Sequence, residues 1–84
     1  MEWWWSRQLR EKGIDALIHD QDGIVSRAQL LQAGWSEPRI RRPLRNRRWR
    51  AVHPGVYVTH TGPIGYGERL LAALLYAGPE AAWS

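Results

Sequence analysis

Residues Ser26 to Arg42 read SRAQLLQAGWSEPRIRR, and the stretch holds two helix starts ten residues apart. Ser26 is followed three residues later by Gln29, the spacing of a capping box. In that motif the serine hydroxyl accepts from the Gln29 backbone N–H, and the glutamine side chain reaches back to the serine N–H. Leu30 and Leu31 are expected to face the core. The helix ends at Ala33, and Gly34 takes the left-handed turn. Ser36 is a second N-cap, and Glu37 complements the helix dipole in the first turn. Pro38 is tolerated there because first-turn N–H groups have no intrahelical partner. Two capped helices joined by Gly34-Trp35-Ser36 have the sequence shape of a helix-turn-helix. Trp35 is expected to pack under the turn.

Downstream, Arg39 to Arg50 reads RIRRPLRNRRWR, with seven arginines and no acid in twelve residues. On a helical wheel Ile40 and Leu44 form the buried stripe. Arg42 lies opposite, with Arg39, Arg45 and Asn46 beside it. A helix that reads a DNA groove needs this arrangement, an aliphatic seam inside and forked donors with an amide outside. Pro43 lacks the N–H that would bond to Arg39, and its ring disfavours helical angles at Arg42. The helix is therefore expected over residues 37–42, followed by a kinked or irregular turn through Arg47. Groove contacts come mainly from the first turns of such a helix, so a late proline spoils little.

Trp49 to Val52 and Val56 to Thr59 are aromatic and β-branched, and His53-Pro54-Gly55 between them is a turn. The pattern predicts a β-hairpin wing after the third helix, with Trp49 as its core anchor and His53 at the tip. Tyr57 is ambiguous. Upstream, Ile14, Leu17 and Ile18 mark one helical stripe that Gly23 ends. Ile24 and Val25 read as a very short strand. Trp3 to Trp5 match neither period: they either cover an apolar surface or belong to a loose extension, and residues 1–13 are read as the extension, with a short helix that Ser6 caps. Residues 61–67 form a glycine-rich loop. Residues 68–76 form a helix with a broad face of Leu70, Leu71, Leu74 and Leu75, stopped by Gly78-Pro79. The tail EAAWS finishes no element, so residues 61–84 are expected to be a linker and the start of a truncated second domain.

The expected fold is thus α+β, mainly α. It is a winged helix-turn-helix over residues 14–60 with a short hairpin wing and an additional C-terminal helix. The whole chain is consistent with this. At 84 residues it is one small domain, and its 44% apolar content suits a globular chain. It has no cysteine, hence no disulfide or thiolate metal site, which fits a reducing cytoplasm. Its longest apolar run, Leu70 to Ala77, is too short to span a bilayer. Net charge is +4, from eleven arginines and a single lysine, and six of the eight acids fall in the first 37 residues. This asymmetry favours a polyanionic partner, and the preference for arginine favours forked bonding to phosphate or guanine. A solvated basic face is the alternative.

The run DGIVSRAQLLQAGWSEPRIRRPLRNRRWRAVHPGVYV resembles the N-terminal winged helix-turn-helix domain of AbiEi-type antitoxins, of type IV (abortive-infection) toxin–antitoxin systems. The same domain heads bacterial proteins that carry a restriction-endonuclease-like domain further on. The resemblance rests on GIVSRAQL from Gly23, Ala33-Gly34, the basic run, and RAVHPGVYV from Arg50. It covers roughly residues 14–83. It implies promoter-DNA binding through the third helix and wing, often with repression of the protein's own operon. Family members have an unbroken basic helix where Pro43 falls here, and they continue into a second domain past the segment matching residues 78–84.

The expected DNA-binding residues are Ser36, Arg39, Arg42, Arg45, Asn46, Arg47, Arg48, Arg50 and His53. Arg39 and Arg42 are expected at base edges or flanking phosphates. Arg45, Arg47, Arg48 and Arg50 are expected on the backbone, which sets affinity and register without carrying sequence. Asn46 either pairs with adenine or caps a turn. No enzyme is expected: His19, His53 and His60 are scattered, the acids are spread out, and no metal-ligand spacing or phosphate loop occurs. No cofactor or metal is expected, and double-stranded DNA is the expected partner. Rival readings are a protein-interaction or homodimer module through Leu70, Leu71, Leu74 and Leu75, the DNA-targeting piece of a nuclease, and an RNA binder, which relies on exposed aromatics.

Overall fold

A two-residue period organises the centre of the molecule. Strand β1 (Ile24–Ser26) pairs antiparallel with β3 (Val56–Val58), and β3 pairs antiparallel with β2 (Arg50–His53), giving the order β1-β3-β2. The short strand expected at Ile24 and Val25 is therefore the third strand beside the hairpin. Successive side chains point to opposite faces. Ile24, Val56 and Val58 join a cluster with Trp5, Leu9, Leu17, Ala72 and Leu75. Val25 and Tyr57 join a second cluster with Leu30 and Ile40. Helices cover both sides, so every residue of β1 and β3 is buried. The fold, a computed structural model describing residues 3–77, is α+β and mainly helical, with five helices and one three-stranded sheet among those residues.

The N-terminal segment departs from expectation. Helices α1 (Ser6–Lys12) and α2 (Ile14–Asp20) pack on each other, and Trp5 has no exposed surface at all. Trp5 stacks on Trp3 with ring centroids 5.3 Å apart and fills the first cluster. Residues 3–13 are thus not a loose extension. Three tryptophans in a row hide this because no period marks the one that points inward. Ser6 does not cap α1 either. Trp5 holds that position, and the buried Ser6 hydroxyl has no hydrogen-bond partner among the described residues.

Gly23 ends the α2 region as expected, with φ of 86° and its N–H donating to the Ile18 carbonyl at 2.9 Å. Its own carbonyl accepts from the Thr59 N–H at 2.8 Å and the Thr59 hydroxyl at 2.9 Å. A Cβ there would lie 2.6 Å from Cδ2 of His60 and 3.2 Å from Oγ1 of Thr59. Gly23→Ala is expected to destabilise the fold by about 1–3 kcal/mol, mostly through the left-handed backbone. A urea titration reads this, and an unshifted midpoint would contradict it.

Helix α3 (Arg27–Gln32) starts with both halves of the capping box: Oγ of Ser26 accepts from the Gln29 N–H at 3.1 Å, and Oε1 of Gln29 accepts from the Ser26 N–H at 3.0 Å. The first free N–H of the helix, that of Arg27, donates to the Gly55 carbonyl in the hairpin turn at 2.7 Å. Leu30 is buried, but Leu31 is 39% exposed, so only the first of the two leucines faces the core. Two adjacent helical residues point about 100° apart, and the sheet takes one of them.

Helix α4 (Glu37–Arg45) is capped by Ser36, whose Oγ accepts from the Arg39 N–H at 3.3 Å. It runs through Pro43 to Arg45 and does not stop at Arg42. Interior proline costs about 3 kcal/mol in an ordinary helix. Here the stripe continues beyond it: Ile40 is buried, and Leu44 packs on the second cluster with Trp49. The bend comes later, at Arg47, where φ is 60°. The Pro43 carbonyl then accepts from the N–H groups of Arg48 at 2.9 Å and Trp49 at 3.2 Å.

Helix α5 (Tyr66–Ala77) lies across all three strands. It buries Ala72 and Leu75 and half-buries Leu71, while Leu70 is 50% and Leu74 40% exposed. The expected four-leucine face is therefore split between sheet and solvent. The stop at Gly78-Pro79 and the tail EAAWS lie outside the described residues. Among the described residues no helix is long and apolar enough to cross a membrane.

Candidate nucleic-acid interface

The basic run lies on one exposed surface, and α4 builds it. Ile40 and Leu44 seat the helix on the second cluster, which turns Arg39, Arg41, Arg42 and Arg45 to solvent. Arg39, Arg41, Arg42, Arg45, Asn46 and Pro38 line one open concavity along the helix. A second concavity adjoins it and shares Arg39, Arg42 and Asn46, adding Trp35, Pro43, Arg48 and Trp49. The connection to β2 keeps Arg47 and Arg48 exposed beside it.

Charge on this surface is not neutralised from within. The nearest acid in sequence, Glu37, forms an ion pair with Arg27 across the two helix starts. That pair is half exposed and worth little in stability. It does draw Glu37 toward α3. Among the described residues Arg41, Arg42, Arg45, Arg47 and Arg48 form no ion pair. Like charges packed this closely repel unless an anion sits among them.

Arg39 differs from its neighbours. Its guanidinium carbon lies 4.0 Å from the centroid of the Trp35 ring. Trp35 stacks on Trp49 with centroids 5.7 Å apart, and Trp49 stacks on Tyr57 at 6.2 Å. Trp35 thus lies beside the turn within an aromatic column, and Trp49 packs on the second cluster as the expected anchor. Tyr57, ambiguous from sequence, is a core residue. Burial pushes its phenol pKa up, with smaller opposing effects of the nearby Arg27 and Glu37 charges.

Most of the expected site residues come together, and two do not. Ser36 caps α4 at the edge of the surface, and Arg39, Arg42, Arg45 and Asn46 line it. Asn46 is also the C-cap of α4, its N–H donating to the Arg42 carbonyl at 3.0 Å. Arg47 and Arg48 flank the surface. Arg50, in contrast, donates from its guanidinium to the Gly62 carbonyl at 2.6 Å, which pulls it toward the loop before α5. His53 is the last residue of β2 and is not at a hairpin tip; its ring stacks on Tyr76 of α5 at 5.0 Å. Strict alternation would point Arg50 and His53 to opposite faces; an irregularity in the register between Ala51 and His53 pairs them with Val58 and Val56, which share one face, and α5 lies across that side. Arg41 was missed. It is four residues before Arg45, a spacing that puts both on one helical face.

No family model, no curated protein and no solved structure matches this chain. The chemistry of the surface therefore rests on its own residues. Forked donors in an open basic concavity can bind phosphates and the acceptor edges of bases. Among the described residues no group of three or more His, Asp or Glu side chains converges as metal ligands would.

Proposed function

We propose that this chain is the double-stranded DNA-binding module of a transcriptional regulator or antitoxin-like protein, with a winged helix-turn-helix arrangement. α3 and α4 are the paired helices, and β2 and β3 are the wing. α4 enters the major groove with its first turns. Arg39 and Arg42 reach base edges or the phosphates beside them. Arg45, Arg47 and Arg48 hold the backbone. The hairpin contributes less than its sequence implied, since Arg50 and His53 are engaged elsewhere. The observation that carries this reading is the single exposed face of α4, which gathers Arg39, Arg41, Arg42, Arg45 and Asn46 into one surface. The resemblance to AbiEi-type domains agrees with it, as does a basic helix that continues through Pro43.

Labelled duplex from upstream of the protein's own gene should bind more tightly than shuffled duplex, and the difference should persist between about 50 and 200 mM salt. The double variant Arg39→Ala, Arg42→Ala should weaken binding roughly thirtyfold, two contacts each at the low end of 1–3 kcal/mol. Unchanged affinity in a folded variant would end this reading. Equal binding to both duplexes that collapses with salt would leave only phosphate attraction.

A second reading, a protein-interaction module, draws on α5. Tyr66, Leu70, Leu74 and Tyr76 are all exposed large apolar residues on that helix. If they join two copies, sedimentation across concentrations should show a dimer that Leu70→Lys dissolves. A strict monomer at all concentrations would count against it.

A further inference from the structure

Arginines on an open surface hold many rotamers, and ordering one for a directional contact costs side-chain entropy. Arg39 is the exception here. Its guanidinium lies over the Trp35 ring. Trp35 is held in turn by Trp49, and Trp49 by the buried Tyr57, so a continuous stack runs from the core to the first turn of α4. Where the two planes are parallel, a guanidinium carbon 4.0 Å over an indole meets the ring with its face alone. Its five N–H donors lie in the plane and remain free at the edge. Arg39 is also the residue whose backbone N–H donates to the Ser36 cap, so its main chain and its side chain each have a partner. Arg45, Arg47 and Arg48 have no aromatic platform among the described residues.

We propose that Trp35 is a positioning residue that makes Arg39 the base-reading contact of the surface, with the guanidinium fork directed at the O6/N7 edge of a guanine. The inference rests on the DNA-binding reading above and deepens it. It divides the labour among the arginines. The stacked one carries sequence preference, and the unstacked ones carry salt-sensitive affinity for any duplex. Trp35 need not touch DNA to do this.

The test starts by selecting the preferred duplex from a random pool with the wild-type protein. Affinities for that duplex and a shuffled one are then measured for Trp35→Leu, Trp35→Tyr, Arg39→Ala and the double variant Trp35→Leu, Arg39→Ala. Trp35→Leu should lower the preference for the selected duplex about tenfold, as expected for loosening one bidentate base contact. Its affinity for shuffled duplex should stay nearly unchanged. Trp35→Tyr, which keeps an aromatic face, should retain most of the preference. In the Arg39→Ala background Trp35→Leu should add nothing. A tryptophan that only supported the fold would weaken both duplexes alike and in both backgrounds, and that result would overturn the proposal. So would a full preference retained by Trp35→Leu. Should Trp35→Leu not fold, NMR of the free wild-type protein decides instead. The Arg39 side-chain N–H signals should carry an indole ring-current shift, and unshifted signals would overturn the proposal. A wild-type protein that selects no duplex defeats the DNA-reading function itself, whereas a selected duplex with Trp35-independent preference defeats only this inference.

Discussion

Replacing Trp5 with alanine should cost about 3–5 kcal/mol, the range for deleting a large buried aromatic side chain. Trp5 is completely buried where α1, α2 and α5 close over the sheet, in contact with the cluster of Leu9, Leu17, Ile24, Ala72 and Leu75. A domain of this size has about 5 kcal/mol or a little more to lose, so the variant should be largely unfolded or close to it at room temperature. Trp5→Phe should be much milder. It keeps an aromatic ring, and it removes an indole N–H that is buried without a hydrogen-bond partner among the described residues. An unsatisfied buried donor costs about 1–3 kcal/mol, so the phenylalanine recovers part of what its smaller ring loses. Urea unfolding followed by far-UV circular dichroism reads both variants. If Trp5→Ala kept the wild-type midpoint, residues 3–13 would be the dispensable extension that the sequence first implied.

Local signals carried the sequence reading a long way, and long-range ones did not. The caps at Ser26 and Ser36, the capping box and the turns at Gly23 and Gly34 involve residues at most a few positions apart, and these form, whereas the cap expected at Ser6 does not. The inward stripe of α4 was legible for the same reason, since Ile40 and Leu44 are one turn apart. Other features depend on which element lies across the way. Leu31 looks as apolar as Leu30, and only the position of the sheet separates them. His53 and Arg50 belong to or adjoin a strongly basic run, yet a register irregularity in β2 and the position of α5 turn them toward Tyr76 and Gly62. Pro43 argued for a helix end on local grounds, and the packing of Leu44 beyond it outweighs the local cost. Trp5 had no period to announce it. Gln21 carries no local signal for its partner, which lies eight positions away.

That partner gives the second large effect. Gln29 is fully buried and uses both ends of its amide. Oε1 accepts from the Ser26 N–H at 3.0 Å and from Nε2 of Gln21 at 3.1 Å, while Nε2 donates to Oε1 of Gln21 at 2.9 Å. Gln21 also donates to the Ile24 carbonyl at 2.8 Å. One closed network therefore joins the end of α2, strand β1 and the start of α3. Gln29→Leu keeps an apolar side chain of similar size but leaves the Ser26 N–H and the Gln21 carbonyl oxygen buried without partners. At about 1–3 kcal/mol for each orphaned group, the expected loss is roughly 2–6 kcal/mol. Adding Gln21→Leu removes the orphaned Gln21 oxygen but also the donor to the Ile24 carbonyl, so the double loss should be smaller than the sum of the two single losses. A double-mutant cycle in urea measures the coupling, and strictly additive losses would mean the two amides do not act as a pair. The loss should also reach the basic surface. α3 supports α4 through Leu30 and Ile40, so if α4 binds duplex DNA, Gln29→Leu should weaken that binding without touching a single arginine. Saturating duplex should then raise the variant's unfolding midpoint, since a ligand that binds only the folded state stabilises it by mass action.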